Sequence, residues 1–390
     1  MIFIDVTGGC LLPLQSGIPR TTRNIYRLLQ EHRPGTVPVA WQPFRFGYTR
    51  LSARAEAILE NRYSLPPGTR APRDATGPFL AACLRELALP WPRRVPLHRT
   101  MQARDTLLLT SLFPDNRLEH LAKLCLGPGR RVALFHDAIP LVDPNVPAWE
   151  KKRHLKLLKV HAAMDVNLSV SRTSREILLE LWKANGIAPA PVEVLPVPPH
   201  FDRARPAYTP PPESANALYV GRLKQVKNHA TLLAACEILW KEKVPFSLTL
   251  IGCEDEAKES AEIINEIRRL QNEGRPLSWR AQVSEDELHA AYQASSFTAF
   301  ASKHEGFGSP IVESLWHGRP VICSGSGAMG EVSTGAGSVH VDVGNATALA
   351  EAMRNLIVNR EGLLELSKAA YDRPQRTWAD YWRDLEPFLP

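Results

Sequence analysis

The sequence lacks an apolar run of about 18 residues, the length that a helix needs to cross a bilayer. No basic segment precedes its first apolar run, "IFIDV", so we expect neither a membrane-spanning helix nor a signal peptide. Its six cysteines include no C-x-x-C pair, which argues against structural zinc and indicates free thiols in a reducing compartment. These absences favour a cytoplasmic protein.

Metal-binding and base-stacking patterns are missing as well. No Asp-x-Asp motif offers a carboxylate pair to a divalent metal, and we expect neither a metal ion nor another cofactor. Aromatic residues make up 7% of the chain and are not interleaved with lysine and arginine, which argues against nucleic acid as a partner.

Charge is divided unevenly between the halves. Residues 1–198 carry 27 Lys and Arg against 16 Asp and Glu, a net charge of +11, whereas residues 199–390 carry 20 against 25, a net charge of −5. A basic first half favours an anionic partner, and nucleic acid, a membrane surface and a phosphorylated lipid all qualify. Its densest segment, residues 149–164, interleaves leucines with five cations and predicts either contact with an anionic surface or a solvated helix face.

Short apolar runs alternate with helical patterns, as in βαβ units with parallel sheets. There are ten such runs, at residues 2–6, 105–111, 131–137, 165–170, 192–197, 216–221, 246–252, 297–302, 320–324 and 338–343. Ten strands exceed what one compact sheet usually holds. We therefore expect an α/β protein with two Rossmann-like, doubly wound domains that face a cleft.

A proline-rich linker at residues 196–214 marks the boundary between the domains 1–198 and 199–375. The tail, residues 376–390, places Trp378, Tyr381, Trp382 and Leu385 at helical spacing. This helix either packs on its own domain or crosses back to the first. Residues 62–100 form an irregular insertion around one helix, "GPFLAACLREL".

Two cations follow the strand at residues 216–220. Arg222 and Lys227 flank a loop before a helix, and ligands of open α/β sheets bind beyond the carboxyl ends of strands. This pair suits a diphosphate, although a basic surface loop would look the same.

The segment "KHEGFGSPIVES" follows another strand. Ser309 is suited to cap a helix and Pro310 to open it, so free backbone N–H groups there would attract an anion. Glu305 in the turn and Glu313 one turn into the helix could each accept hydrogen bonds from sugar hydroxyls. The alternative is one glutamate that stabilises the helix dipole and one at the surface.

Three other segments are weaker candidates. Residues 325–330, "GSGAMG", match a dinucleotide fingerprint, but a poor helix former follows. We therefore expect a turn that could touch the ligand and no NAD site. Gly17 lies between the first strand and a helix that begins near Pro19. The N-terminus of that helix is a second place where an anion could bind. His136 ends a strand and is either a structural residue or part of a site.

Four segments together carry a resemblance to a known family. "EGFGSPIVE" is similar to the E-x7-E signature of retaining glycosyltransferases of the GT-B fold, family 4, and "YVGRLKQVKNH" resembles a second segment of that family. "HDAIPL" and "SGIPRTTRNI" resemble stretches of bacterial polysaccharide mannosyltransferases. The resemblance covers most of the chain but not residues 62–100. It implies an acceptor-side domain 1–198, a nucleotide-sugar-binding domain 199–375 and a C-terminal helix that crosses back.

The resemblance also implies roles for single residues. Arg222 and Lys227 would hold the diphosphate of the donor and stabilise its departure, and Glu305 would lie near the donor sugar. His136 would contact the transferred sugar, and Gly17 would lie by the phosphates or the acceptor. The other binding residues implied are Gly306, Phe307 and Gly308 for the sugar hydroxyls, Ser309, Pro310 and Ile311 for the phosphates, Glu313 for the ribose and Val283 for the base. The family has a glycine where this chain has Ala281.

The resemblance thus implies a retaining, metal-independent glycosyltransferase. It would move a hexose from a nucleotide sugar, GDP-mannose being favoured, to a growing or lipid-linked bacterial glycan, in the cytoplasm or at the inner face of the membrane. Two alternatives stay open: a nucleotide-sugar epimerase on the same scaffold and a non-catalytic nucleotide-binding protein. Release of nucleoside diphosphate only when an acceptor is present would distinguish the three.

Overall fold

The computed structural model describes residues 1–11, 16–60, 81, 94–201, 203–254 and 258–389, and the chain divides into two compact units. Unit 1 comprises Met1–His200 and Arg376–Pro390, and unit 2 comprises Phe201–Gln375. Nearly all of the helix predicted as "GPFLAACLREL", and most of the irregular segment around it, lies outside the described residues.

Unit 1 is built on a seven-stranded sheet. Its strands are β1 (Ile2–Asp5), β2 (Val37–Gln42), β3 (Gly47–Thr49), β4 (Thr106–Leu109), β5 (Arg130–Phe135), β6 (Val166–Ser169) and β7 (Val192–Val194). The spatial order is β3-β2-β1-β4-β5-β6-β7, and every pair is parallel except β2 and β3. The order reverses direction between β1 and β4, which makes their carboxyl ends the switch point of this sheet.

Helices connect these strands. They are Thr7–Cys10, Gly17–His32, Ala53–Leu59, Leu97–Thr100, Arg117–Leu124, Ile139–Val142, Ala148–Ala162, Arg172–Ala184 and Trp378–Leu385, with 3₁₀ turns at Pro43–Arg45 and Glu386–Phe388. Strands β1, β4 and β6 are buried at every residue, as expected for parallel strands that are covered on both faces.

Unit 2 is a second doubly wound domain. Its strands are β8 (Asn216–Val220), β9 (Ser247–Ile251), β10 (Leu277–Arg280), β11 (Phe297–Phe300), β12 (Val321–Cys323) and β13 (Ser338–His340). They pair in parallel in the order β10-β9-β8-β11-β12-β13, so the switch point lies between β8 and β11. The helices are His229–Lys241, Lys258–Asn272, Glu285–Ala294, Ser309–Trp316, Gly327–Ser333, Ala346–Val358 and Arg360–Asp372, with a 3₁₀ turn at Gln225–Lys227.

The structure confirms the two parallel-sheet α/β units and adds three strands that the sequence did not indicate. Strand β2 contains Pro38, and a proline inside an apolar run argues against a strand. Strand β3 is three residues long. Strand β10 lies at the sheet edge, where only Leu277 of its four residues is buried, so its apolar signal is weak.

The C-terminal helix Trp378–Leu385 belongs to unit 1. The ring of Trp382 stacks on His32 with the centroids 4.5 Å apart, and Tyr381 and Leu385 are fully buried. Thr377 caps the helix in a capping box with Asp380, which fixes where the helix begins. The chain thus enters unit 2 after His200 and leaves it after Gln375. Among the described residues, no helix combines the length and hydropathy needed to span a membrane.

Candidate functional site

The carboxyl edge of the unit 2 sheet holds both of the strongest sequence candidates. Strands β8 and β11 are parallel neighbours, so the loops that follow them leave the same edge at the switch point. The amide of Lys303 donates to the carbonyl of Val226 at 2.9 Å, and the Ser302 hydroxyl donates to that carbonyl at 3.2 Å. The basic loop and the glutamate–glycine segment therefore lie side by side.

Lys227 and Glu305 form an ion pair at this edge. Nζ of Lys227 lies 2.5 Å from Oε1 of Glu305 and 5.9 Å from the ring centroid of Phe300. The lysine side chain is 21% exposed and the glutamate 10%, so both are largely desolvated while retaining access to solvent. Burial, and secondly the charge of Glu305, raises the pKa of the nearby Tyr219 phenol. That hydroxyl donates to the carbonyl of Lys227 at 2.6 Å and holds its backbone.

Asn228 completes the turn that carries Lys227. It adopts the left-handed conformation at φ 56°, which asparagine tolerates better than most residues, and it occupies the N-cap of the next helix. Its side chain does not cap that helix through the backbone. Instead the amide donates to the carbonyl of Val343 at 2.7 Å and the oxygen accepts from the Thr231 hydroxyl at 2.8 Å.

Arg222 lies half-buried in the same loop, directly after β8. The backbone on both sides of Arg222 is held because the loop after β8 packs closely against the loop after β9. A Cβ on Gly252 would lie 1.9 Å from the carbonyl oxygen of Gly221, so this position requires glycine. The amide of Leu223 donates to the carbonyl of Cys253 at 3.0 Å on the other side of the arginine.

The helix after Glu305 begins one residue earlier than the sequence indicated. Gly308 is its N-cap at φ 100°, Ser309 is the first helical residue and Pro310 the second, so the prediction that Ser309 caps the helix is wrong. Glycine takes the cap because the backbone there is left-handed, and Pro310 still falls in the first turn, where a missing N–H is harmless. No side chain caps this helix. Of the other residues predicted here, Gly306 and Ile311 are buried and Phe307 is half-buried.

Glu313 is 2% exposed and is held by a residue that the sequence did not single out. The hydroxyl of Tyr292, a fully buried side chain, donates to the Glu313 carboxylate at 3.1 Å. Burial lowers the pKa of His317 to about 3, so its ring is neutral. Its Nδ1–H donates to the Glu313 carbonyl at 2.7 Å, and its Nε2 therefore accepts from Nδ1–H of His289 at 2.8 Å. On the sequence, Tyr292 is indistinguishable from an ordinary apolar position of its helix.

Residues 325–330 form more than the predicted turn. A helix, Gly327–Ser333, follows β12 directly, so the expectation that no helix forms there is wrong. A Cβ on Gly330 would lie 2.3 Å from the carbonyl oxygen of Gly325, so the two glycines let the turn fold onto the helix. The short helix contains two glycines, which explains why its sequence gives a weak helical signal.

Val283 comes from a different strand connection than the other residues predicted for donor binding. It follows β10, the edge strand two places from β8, and packs against the buried cluster that includes Phe201, Leu288 and Tyr292. The neighbouring Gln282 is exposed. Its predicted contact with a base stays a prediction.

In unit 1, His136 and Gly17 both lie at the carboxyl edge of the sheet. Nε2–H of His136 donates to the carbonyl of Thr110 at 2.8 Å, and burial lowers the pKa of the ring. The imidazole is therefore neutral, with Nδ1 left as a hydrogen-bond acceptor. Gly17 is the first residue of its helix, which begins two residues before Pro19, and the Thr21 hydroxyl donates to its carbonyl at 3.0 Å.

A comparison with known families matches residues 200–373 to "Glycosyl transferases group 1". Unit 2 is therefore the part of the chain that is similar to glycosyl transferases group 1. The match nearly coincides with Phe201–Gln375, so the matched region is the unit that contains Lys227, Glu305 and Glu313.

Curated relatives share part of this chain. The O-antigen chain mannosyltransferase B of Escherichia coli is 28% identical over 228 residues, which cover 54% of this chain and 57% of the relative. The serotype-specific mannosyltransferase WbdA of Escherichia coli is 28% identical over 215 residues, 48% of this chain and 25% of the relative. The chain thus matches little more than half of the first relative and a quarter of the second.

Solved structures resemble the chain over nearly its whole length. Sucrose-phosphate synthase from Thermosynechococcus elongatus covers 99% of this chain and 97% of its own at a TM-score of 0.68 and 17% identity. Anabaena HepE in complex with UDP-glucose covers 99% and 98% at a TM-score of 0.68 and 15% identity. At such identities the likeness concerns the fold, and it confirms the predicted GT-B class.

Proposed function

We propose that this chain is a retaining glycosyltransferase that moves a hexose from a nucleoside diphosphate sugar to a growing or lipid-linked bacterial glycan. GDP-mannose is the favoured donor, because two relatives that match about half of this chain are mannosyltransferases. The observation that carries the proposal is the Lys227–Glu305 pair at the switch point of unit 2. Lys227 lies in the turn before helix His229–Lys241, and Glu305 lies in the turn before helix Ser309–Trp316.

The proposed role of Lys227 and Arg222 follows from the charge of the leaving group. When the bond between the anomeric carbon and the phosphate oxygen breaks, its electron pair stays on that oxygen and the diphosphate gains negative charge. The contact with Glu305 at 2.5 Å holds the ammonium of Lys227 in place before a donor arrives. A preorganised cation stabilises developing charge without reorganising during the reaction. Arg222 adds a guanidinium that can bind phosphate in bidentate fashion.

The proposed sugar and ribose contacts use groups that accept hydrogen bonds. The buried carboxylate of Glu313 would accept from the ribose hydroxyls, and Glu305 would lie beside the hexose. Backbone groups of the intervening turn would complete the contacts: Gly306, Phe307 and Gly308 with the sugar, and Ser309, Pro310 and Ile311 with the phosphates. Val283 is proposed to lie near the base.

In unit 1 we propose that His136 accepts a hydrogen bond from a hydroxyl of the transferred hexose. Its Nε2–H is engaged by Thr110, so the free lone pair is on Nδ1. A neutral ring suits this role better than an imidazolium, which has no acceptor. Gly17, at the start of its helix, is proposed to lie by the phosphates or the acceptor.

Transfer is proposed to need no divalent metal, because the cations of Arg222 and Lys227 can neutralise the diphosphate. Activity in EDTA equal to activity in Mg²⁺ or Mn²⁺ is the expected result. Loss of activity in EDTA that either metal restores would sink this part of the proposal and leave the transferase itself standing.

The deciding experiment is a donor screen. The full chain is incubated with GDP-mannose and with other nucleotide sugars, with and without lipid-linked acceptors, while nucleoside diphosphate release is measured. We expect release with GDP-mannose that depends on the acceptor, and a product whose anomeric configuration, read by proton NMR, equals that of the donor. An isomerised sugar formed without acceptor would establish an epimerase. Donor binding without turnover under any condition would establish a nucleotide-binding protein.

A further inference from the structure

Exposed apolar side chains concentrate at one edge of unit 1. Among the described residues, eight large hydrophobic side chains are exposed, and five of them follow the carboxyl ends of unit 1 strands. These five form what we name the apolar rim: Phe44 and Phe46 after β2, Phe113 after β4, and Val142 and Trp149 after β5. Phe46 is 71% exposed and Trp149 61%. A cluster of this kind marks an interaction site, unlike single exposed residues.

Hydrogen bonds hold the loops of the apolar rim together. The side-chain amide of Asn116 donates to the carbonyl of Pro43 at 3.0 Å, which ties the loop after β4 to the turn that contains Phe44 and Phe46. The guanidinium of Arg153 donates to the carbonyl of Pro114 at 2.9 Å and lies 5.9 Å from the ring of Trp149. The apolar tips are therefore presented by one connected surface.

The helix that begins beside the rim carries its cations on the same side. In helix Ala148–Ala162, Lys152, Arg153 and Lys156 are exposed and lie three, four and seven residues after Trp149, which places all four on one face. We name this the basic face. Lys159 is exposed one turn further along.

The leucines of this helix do not belong to the basic face. Leu158 is buried, and Leu155 and Leu157 pack against the unit 1 core. The helix therefore contributes charge and one tryptophan to the surface, and the remaining apolar groups come from neighbouring loops. The sequence pattern of interleaved leucines and lysines did not distinguish these two faces.

We propose that the apolar rim and the basic face dock on the surface of an anionic phospholipid bilayer. Aromatic side chains prefer the interface between lipid headgroups and acyl chains. Each lysine near an anionic membrane surface contributes about 1 kcal/mol to the free energy of binding. The apolar side chains come from the connections after three different strands and lie beside the basic face. Such a spread of apolar and basic groups suits a broad charged surface. Where the proposed function holds, this docking would bring unit 1 to the membrane that supplies a lipid-linked acceptor.

The test is co-sedimentation of the full chain with vesicles of phosphatidylcholine, with and without phosphatidylglycerol, over a range of NaCl concentrations. We expect binding only to the anionic vesicles and a decrease with salt, because exposed charges are screened. Lys152→Gln and Lys156→Gln should each weaken the partition coefficient about fivefold. Trp149→Ala should weaken it about tenfold, from the lost apolar area.

Matched controls come from the opposite edge of the same sheet. Leu126 is 89% exposed and precedes β5, and Lys123 is exposed at the end of helix Arg117–Leu124. Leu126→Ala and Lys123→Gln should bind vesicles as the unaltered chain does. The proposal is overturned if the control variants lose as much vesicle binding as the variants of the rim and the basic face. It is also overturned if the chain binds neutral vesicles as well as anionic ones, or binds neither. Salt-dependent binding to soluble polyglutamate that equals binding to vesicles would also overturn it, in favour of an acidic macromolecule.

Discussion

Lys227 is the single side chain on which the proposed chemistry most depends. Its contact with the diphosphate should strengthen as the sugar–phosphate bond breaks, so its loss should act on kcat more than on donor KM. We expect Lys227→Ala to lower kcat about 100-fold, as removal of one preorganised charge-stabilising group does elsewhere. Steady-state rates of nucleoside diphosphate release measure this.

Lys303→Ala is the matched control, because Lys303 is an exposed lysine in the adjacent loop. It should leave kcat unchanged. The unfolding temperature of both variants is recorded, since removing Lys227 also takes a 2.5 Å partner from Glu305. A folded Lys227→Ala enzyme with near-normal kcat would refute the assigned role.

Tyr292 is predicted to position Glu313 for the ribose. Tyr292→Phe removes the hydroxyl that donates to the carboxylate at 3.1 Å and keeps the ring that fills the core. Since a hydrogen bond to a charged group contributes about 1.5–3 kcal/mol, donor KM should rise about tenfold or more while kcat changes little. A donor that lacks the ribose hydroxyls should show no difference between the two enzymes, which separates positioning from general damage.

Tyr381→Phe serves as the control for that substitution. Tyr381 is also fully buried, and in the described structure its hydroxyl has no hydrogen-bond partner. Its replacement should leave KM, kcat and stability as they are. If Tyr292→Phe likewise leaves donor KM unchanged, Tyr292 has only a packing role.

At the scale of elements, the loops after β8 and β9 contact each other through the backbone of Gly221 and Gly252. Gly252→Ala would place a Cβ 1.9 Å from the carbonyl oxygen of Gly221, so the loop that carries Arg222 has to move. We expect unit 2 to lose about 1–3 kcal/mol of unfolding free energy, the usual cost of overpacking. Donor affinity should fall with it, because Arg222 shifts. Hydrogen exchange of peptides from β8 and β9 locates the effect.

Gly35→Ala is the appropriate comparison, because no atom lies within 4 Å of a Cβ placed there. Gly35→Ala should leave hydrogen exchange unchanged. Its free energy of unfolding should be unchanged or slightly higher, since alanine reduces the conformational freedom of the unfolded chain. If hydrogen exchange in β8 and β9 of Gly252→Ala equals that of the unaltered chain, the two loops can move apart without loss of stability.

At the scale of the whole molecule, buried histidines should make both units sensitive to acid. Burial lowers the pKa of His161 in unit 1 to about 4 and those of His229 and His317 in unit 2 to about 3. Unfolded histidine binds a proton near pH 6.5, so between that pH and the folded pKa the unfolded chain holds more protons. Stability is therefore complete above pH 6.5 and declines as the pH falls below it. Each histidine contributes a loss of about 2 kcal/mol at pH 5.

Urea unfolding at pH 7.5 and at pH 5 measures this loss, and carboxylates titrate little in that range. His161→Gln should make the decline of unit 1 shallower, whatever it does to stability at pH 7.5. Equal slopes in the unaltered chain and in His161→Gln would exclude His161 as a source of acid sensitivity.

The sequence determined the α/β class, the two parallel sheets and the segments that surround the switch point of unit 2. It could do so because fully buried parallel strands, β11 for example, are short continuous apolar runs, and because Gly, Ser and Pro mark a helix start within one residue. It did not indicate β2, whose proline argues against a strand, nor β10, whose edge position leaves half of it polar. The β-propensity of a segment reflects only the local preference of its residues. Strand β2 forms because it pairs with β1, and strand β10 forms because it pairs with β9.

Only the tertiary structure decided which side chains meet. Lys227 and Glu305 are 78 residues apart, and Tyr292 and Glu313 are 21 apart on different helices, so no local periodicity relates them. The same holds for the apolar rim. Its five side chains come from the connections after three different strands and look like scattered hydrophobic residues along the chain. Strand order in each sheet brings these loops to one edge. That order is set by burial of whole strands, a cooperative property of the folded sheet that no short segment carries by itself.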